Sequence, residues 1–417
     1  HLSETYGEVF RPTPELDEHK DTGQNWYPLN HFRPLVDWKM DDEDEDLFKT
    51  WILGPLFQMT SLMLHENRGH LSHINAIGEI CAQFRSGILA MMRKAGADSV
   101  IKTVEKYHGL HPEAAGACWY PDSFADMSTP EWQQLYVNAE HDGNVGVISI
   151  GRESYNSDVN QEMNSAIDWL KAAGIESVIV TGDFHLSTQL VGADTSEFYP
   201  ALEDTAAGAS IAGDWSRTAR RLNDEFKVSV GFVNGKRCLG GMLELLMHCH
   251  FVVAVDDAKL GMPEVTLPVV PGMEGCHWPF RKATPEQWPM LFALLLSGNP
   301  VSATDAAGWL IDFAGSLEDS LKMVWKLATG GDHGLSMRAV NDKAMEGVPS
   351  EVSGLPAADS PDHEAARAAI MKCIQDACGA QLSDAVTVQA KHSADFMVTK
   401  ACRRGRIGAE FVKTMVV

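Results

Sequence analysis

The segment from Val233 to Gly275, VNGKRCLGGMLELLMHCHFVVAVDDAKLGMPEVTLPVVPGMEG, places one apolar helix between two strand-like runs. VSVGFV ends in it at Val233 and FVVAVDD begins at Phe251, both rich in the β-branched and aromatic residues of buried strands. Between them, Gly240-Gly241 follows a strand and opens the helix MLELLM, so backbone N–H groups without intrahelical partners stand at its positive end. Such amides can hold a developing oxyanion.

Glu244 interrupts that apolar run three residues after Gly241. An unpaired carboxylate buried there would cost several kcal/mol. Either it caps the helix N-terminus, where a negative charge is favoured by about 0.3–1 kcal/mol, or it works on a ligand beside the Gly241 amide. The spacing i to i+3 puts both on one side of the first turn and favours the second reading. Glu264 is the second carboxylate, between Pro263 and the Pro271-Gly272 turn. Paired to a neighbouring base it would be an ordinary loop acid. Sharing an apolar pocket with Glu244, it would give two carboxylates of separated pKa, one suited to the base role and one to the acid role. Upstream, Gly192-Ala193 follows the irregular run FHLSTQL, and the Ala193 N–H is a candidate second oxyanion donor.

Working outward, VGVISIG, ESVIVTG, VSVGFVNG and FVVAVDD read as strands separated by helices such as NQEMNSAIDWLKAAG, which predicts βαβ units and an α/β fold. Three regions are expected: an N-terminal arm and helical domain over 1–142, an α/β core over 143–332 and a C-terminal helical region over 333–417. Within the first, residues 1–47 with the acidic run Asp41–Asp46 read as an extended, solvated arm. GVPSEVSGLPAADSPD at 347–362 reads as a linker before a last helical stretch. No internal repeat is evident.

Composition bounds the function. The 417 residues are 45% hydrophobic and 22% charged, ordinary for globular domains. With 34 basic against 57 acidic residues the net charge is −23, which argues against nonspecific binding to nucleic acid or anionic membrane. Eight dispersed cysteines without a Cys-x-x-Cys pair suit reduced thiols in a cytoplasmic protein. No apolar run approaches the ~18 residues of a membrane span, and the first residues lack the pattern of a signal peptide. The chain begins at His1, which suggests a piece of something longer. His248, Cys249, His250, Cys276 and His277 are of metal-ligating types, but adjacent positions point in different directions, so no metal site is expected. His248, four residues after Glu244, reads as a satisfied core histidine in preference to an orienting partner of that acid. Trp278, Phe280 and Trp288 are bulky candidates for the wall of a ligand pocket.

Residues 143–325 resemble the crotonase, or enoyl-CoA hydratase/isomerase, superfamily through VIVTG, GADTSEF, VNG, LGG with Glu244, and PEVTLPVVPG in that order. The resemblance implies a crotonase-type spiral of ββα turns with a helical C-terminal region, preceded here by a mainly helical N-terminal extension. It implies that Ala193 and Gly241 form an oxyanion hole, that Glu244 and Glu264 are the acid/base pair, and that water adds reversibly to a 2-enoyl-CoA thioester. No cofactor beyond coenzyme A as substrate carrier follows, and homotrimers or hexamers are implied. Isomerases and hydrolases of the family often keep one of the two acids, so retention of both favours hydration. A noncatalytic assembly subunit is the other reading. The family's glycine loop is altered here to Asn234-Gly235-Lys236-Arg237-Cys238-Leu239-Gly240-Gly241-Met242, and Lys236 and Arg237 suit the phosphates of CoA. Arg403, Arg404 and Arg406 likewise bind phosphate or face solvent. Residues 1–142 resemble the helical C-terminal domain of 3-hydroxyacyl-CoA dehydrogenases, which implies a dehydrogenase partner or fusion. No Gly-x-Gly-x-x-Gly follows a strand, so no NAD site is expected.

Overall fold

The structure, a computed structural model, describes residues 2–8, 11–22, 41–82, 84–186 and 189–409. Two compact units divide between Leu135 and Tyr136.

The first unit is helical: α1 (Leu2–Tyr6), α2 (Pro14–Thr22), α3 (Asp42–His65), α4 (Leu71–Ile80), α5 (Ile88–Ala95) and α6 (Ala97–Leu110). The acidic run is not part of an extended arm. Asp41 accepts the Asp44 N–H at 2.8 Å and Asp42–Glu45 form the first turn of α3, where carboxylates face the positive helix end. The expected arm also contains α1 and α2, and its stretch 23–40 lies outside the described residues. Inside the unit, α3 packs on α6 through the edge-to-face pair Trp51–Tyr107, and Gln58 donates to the Ala114 carbonyl at 2.9 Å.

The second unit is α/β. Its large sheet has the order β1 (Val137–Asp142), β2 (Val145–Ile150), β3 (Ser177–Gly182), β5 (Val228–Val233), β7 (Phe251–Val255), β10 (Phe313–Gly315). All neighbours are parallel except the β1–β2 hairpin. β7 is buried at every position, as a strand covered on both faces must be. A second sheet joins β4 (Leu190–Val191), β6 (Arg237–Leu239), β8 (Lys259–Gly261) and β9 (Val301–Ser302). Successive strands thus alternate between the sheets: β3 then β4, β5 then β6, β7 then β8. Helices α7 (Ser157–Ala172), α8 (Thr205–Asp224) and α9 (Gly240–Met247) return the chain, α8 after β4 and α9 after β6. This is the expected ββα spiral. It is a repeat of backbone path, which a search for repeated letters misses.

Helices α10 (Trp278–Lys282), α11 (Trp288–Ser297), α12 (Ala303–Ala306), α13 (Leu317–Thr329), α14 (Pro361–Cys378), α15 (Leu382–Met397) and α16 (Lys400–Arg404) complete the unit. Two boundaries differ from the expected ones. β1 pairs with β2 residue for residue, which carries the α/β unit back to Tyr136. The 347–362 stretch belongs to a longer segment, 331–360, without helix or strand. That segment does not separate domains: Asn341 N–H donates to the Arg281 carbonyl at 3.0 Å and Met345 N–H to that of Cys378 at 2.8 Å, holding it against α10 and α14. Among the described residues no helix is long and apolar enough to cross a membrane.

Candidate active site

The site lies where the second sheet hands the chain to α9. Leu239 enters the helix in an extended conformation and no side chain caps it, so the first N–H groups of α9 are left to the space before them. Gly240 turns the corner at φ +52, a conformation L side chains rarely adopt. Opposite, Gly192 at the end of β4 has φ +72 and donates its N–H to the Leu239 carbonyl at 2.7 Å. Ala193 forms a parallel bridge with Tyr155. That bridge uses the Gly192 carbonyl (3.0 Å from Tyr155 N) and the Asp194 N–H (2.8 Å from Tyr155 O), so the N–H of Ala193 itself points the other way. The ion pair Arg152–Asp194 at 2.7 Å pins this loop. A Cβ placed on Gly241 would meet the Ala193 Cβ at 3.6 Å and its N at 3.8 Å, so the two amides are neighbours.

Both glutamates join them around one cavity of about 350 Å³, lined by Ala193, Gly241, Glu244 and Glu264 among others. That is ample for a small apolar ligand. Glu244, one turn into α9, is 2% exposed, and its Oε1 accepts the N–H groups of Met273 (2.9 Å) and Gly275 (2.7 Å). Burial pushes its pKa up to about 7, with the Gly275 and Met273 amides opposing the rise. Glu264 rides on the short 3₁₀ turn Pro263–Thr266, and its Oε2 is buried without a hydrogen-bond partner among the described residues. Its pKa is pushed up to about 8, first by burial and then by the charge of Glu244. Two acids that sense each other lose their protons stepwise, so near neutrality the pair holds one proton.

No family model matches the chain. A probable enoyl-CoA hydratase of Bacillus subtilis is 31% identical over 166 residues, which is 39% of this chain and 62% of that protein. One from Mycobacterium tuberculosis is 30% identical over 175 residues, 41% of this chain and 64% of the relative. The chain therefore spans less than two thirds of the length of these relatives. Over about 40% of its length the chain is similar to probable enoyl-CoA hydratases. Among solved structures, a carnitinyl-CoA dehydratase from Mycobacterium thermoresistibile covers 67% of this chain and 89% of its own at 17% identity, with a TM-score of 0.48.

The cavity gathers four of the six expected site residues. Lys236 and Arg237 are exposed and lie outside its lining. Trp278, Phe280 and Trp288 are buried away from the cavity, and its aromatic wall is Phe198 and Trp215 instead. Ser393, Met397, Arg406 and Ile407 close it from the C-terminal region. Of these, the sequence singles out only Arg406, as a phosphate-binding or solvent-facing residue; for Ser393 and Met397 the apolar face of α15, which packs on α8, is the nearest signal. Of the other arginines, Arg403 donates to the Leu202 carbonyl at 2.7 Å and Arg404 pairs with Asp362. His248 is a core histidine: Nδ1 lies 2.8 Å from the Glu244 carbonyl and Nε2 3.0 Å from Glu274. His250 turns away from it to accept the Ser229 N–H at 3.0 Å. Among the described residues no three His, Cys, Asp or Glu side chains are grouped to hold a metal ion.

Proposed function

We propose that this chain is an enoyl-CoA hydratase-type lyase, adding water reversibly to a 2-enoyl-CoA thioester. The observation that carries the reading is the convergence of the Ala193 and Gly241 amides with Glu244 and Glu264 on one largely apolar cavity. In the forward direction the Glu244 carboxylate takes a proton from water as its oxygen bonds to the β-carbon. The electron pair of the double bond moves to the thioester oxygen, whose negative charge the two N–H groups hold. Protonated Glu264 then delivers its proton to the α-carbon, restoring the thioester carbonyl. The roles follow from environment: amides support the ionised form of Glu244, and burial without a partner keeps the proton on Glu264. These steps use no group beyond the chain, water and the thioester.

The test is hydration of a crotonyl-type CoA thioester by the purified chain, with product analysis. A 3-hydroxyacyl thioester supports the reading, whereas a shifted double bond or a free acid would replace it with isomerisation or hydrolysis, and no turnover with any enoyl thioester would favour an assembly subunit. The pH profile should be bell-shaped with its maximum between about 7 and 8. Below it Glu244 gains a proton and cannot accept water's; above it Glu264 has none to give. A profile flat from pH 5 to 9 would contradict the paired-acid mechanism.

Lys236 and Arg237, exposed beside β6 in a chain of net charge −23, are proposed to meet the CoA phosphates. The double variant Lys236→Gln/Arg237→Gln should raise KM for the CoA thioester about three- to tenfold and leave a pantetheine thioester unaffected. Equal effects on both substrates would rule this out. We also propose assembly as a cytoplasmic homotrimer or hexamer, checked by light scattering.

A further inference from the structure

The turn that grips Glu244 is itself held by an ion cluster that the reaction scheme leaves unused. Glu274 lies between Met273 and Gly275, the two residues whose N–H groups bind Glu244 Oε1. It is fully buried and adopts φ +69, a left-handed conformation that would suit glycine. Its carboxylate receives Arg220 Nε at 2.9 and 2.8 Å on its two oxygens, and His248 Nε2 at 3.0 Å. His277 Nε2 stands 3.2 Å from Oε1. Arg220 is fixed in turn by the Leu382 carbonyl at 2.8 Å, and the Glu274 carbonyl accepts the Trp278 N–H at 2.9 Å to start α10. His248 closes a ring, because its other nitrogen meets the backbone of Glu244.

A carboxylate is an expensive side chain to bury, and here it sits on a strained backbone. Both costs are offset by one bidentate arginine and the His248 imidazole. The result is a turn that presents two amides in fixed directions. We propose that Glu274, clamped by Arg220 and His248, is a positioning residue that locks the 273–275 turn so that Glu244 keeps Oε1 on the amides and offers Oε2 to the substrate water. This rests on the hydratase reading and deepens it.

The clamp has an electrostatic consequence. Glu244 faces the carboxylates of Glu264 and Glu274 and the thiol of Cys276. Glu274 faces Arg220 and Asp224 from α8, His248 from the end of α9, and His277 and Arg281 at α10. Neutralising Glu274 removes one negative charge near Glu244 and leaves Arg220 facing only the Asp224 carboxylate. Both changes favour ionised Glu244.

Two variants separate positioning from mere support. Glu274→Gly tolerates the left-handed turn but deletes the anchor, and kcat should fall about 30- to 100-fold with KM changed less than about threefold. Glu274→Gln keeps the shape and should move the acid limb of the pH profile down by about one unit. Infrared titration of the carboxyl band that Glu244→Gln abolishes needs no substrate and should show the same downward shift in Glu274→Gln. Wild-type kcat and an unmoved Glu244 titration, with only the melting temperature lowered, would overturn the proposal. If Glu274→Gly does not fold, Glu274→Gln alone decides. A chain inactive on enoyl thioesters that still shows the infrared shift would refute the hydratase reading and leave the clamp standing.

Discussion

Replacing Glu264 by glutamine is expected to lower kcat about 10²- to 10⁴-fold while raising the melting temperature at pH 8.5. The introduced amide fills the same space but has no proton to give, so under the proposed mechanism the chemical step loses its acid. The stability gain has the opposite origin. The carboxyl, ordinarily near 4.5, is pushed to about 8 by burial and by Glu244, so the folded chain holds a proton that the unfolded chain releases. That linkage favours the folded state fully below about pH 4.5 and is lost as pH rises through about 8. An amide has no proton to lose and escapes this penalty, so wild type and variant should melt together near pH 4.5 and diverge by several degrees above pH 8. Calorimetry at the two pH values, beside initial rates, checks both halves. Retained turnover would remove Glu264 from the mechanism, and equal destabilisation at every pH would mean that its carboxyl is not buried as described.

The parts of this architecture that are legible in the sequence are those with local physical signatures. β2, β3, β5 and β7 are runs of five or six residues buried enough to demand β-branched side chains, and composition marks such runs. The strands of the second sheet are two or three residues long, too short to carry a period, and exist through pairing with distant segments. The acidic run is ambiguous for a related reason: a solvated arm and a helix N-terminus both accept carboxylates, and only the Asp41 cap separates them. At the site, Glu244 is visible because a charge in an apolar helix is costly. Glu274 is not, because PGMEG is turn chemistry in which an acid normally reaches solvent. Its partner Arg220 lies on another helix, and only the fold brings them together. The rest of the cavity wall there, Ser393, Met397 and Ile407, is hidden in the same way.

Gly240→Ala and Gly241→Ala should differ sharply although the positions are adjacent. At Gly240 the backbone has φ +52, so any Cβ is strained by about 1–2 kcal/mol before it touches anything. That Cβ would lie 2.7 Å from Glu264 Oε1 and 3.3 Å from the Gly192 Cα. The carboxyl can only swing out of the position from which it is proposed to protonate the α-carbon, and the Gly192 backbone, tied to Leu239, cannot retreat without moving Ala193. One methyl group therefore displaces the acid and one oxyanion donor together, and kcat should fall about 10²-fold or more with a drop in melting temperature. At Gly241 the helix accepts alanine, and the new Cβ would meet Met273 Sδ at 3.5 Å and Ala193 Cβ at 3.6 Å, ordinary contacts that leave the N–H in place. Its loss should be at least about tenfold smaller and confined mainly to KM. Steady-state kinetics on the two variants decide the matter. Equal losses would mean that crowding anywhere on this wall suffices, and a fully active Gly240→Ala would show that Glu264 does not work from the position it holds beside the helix.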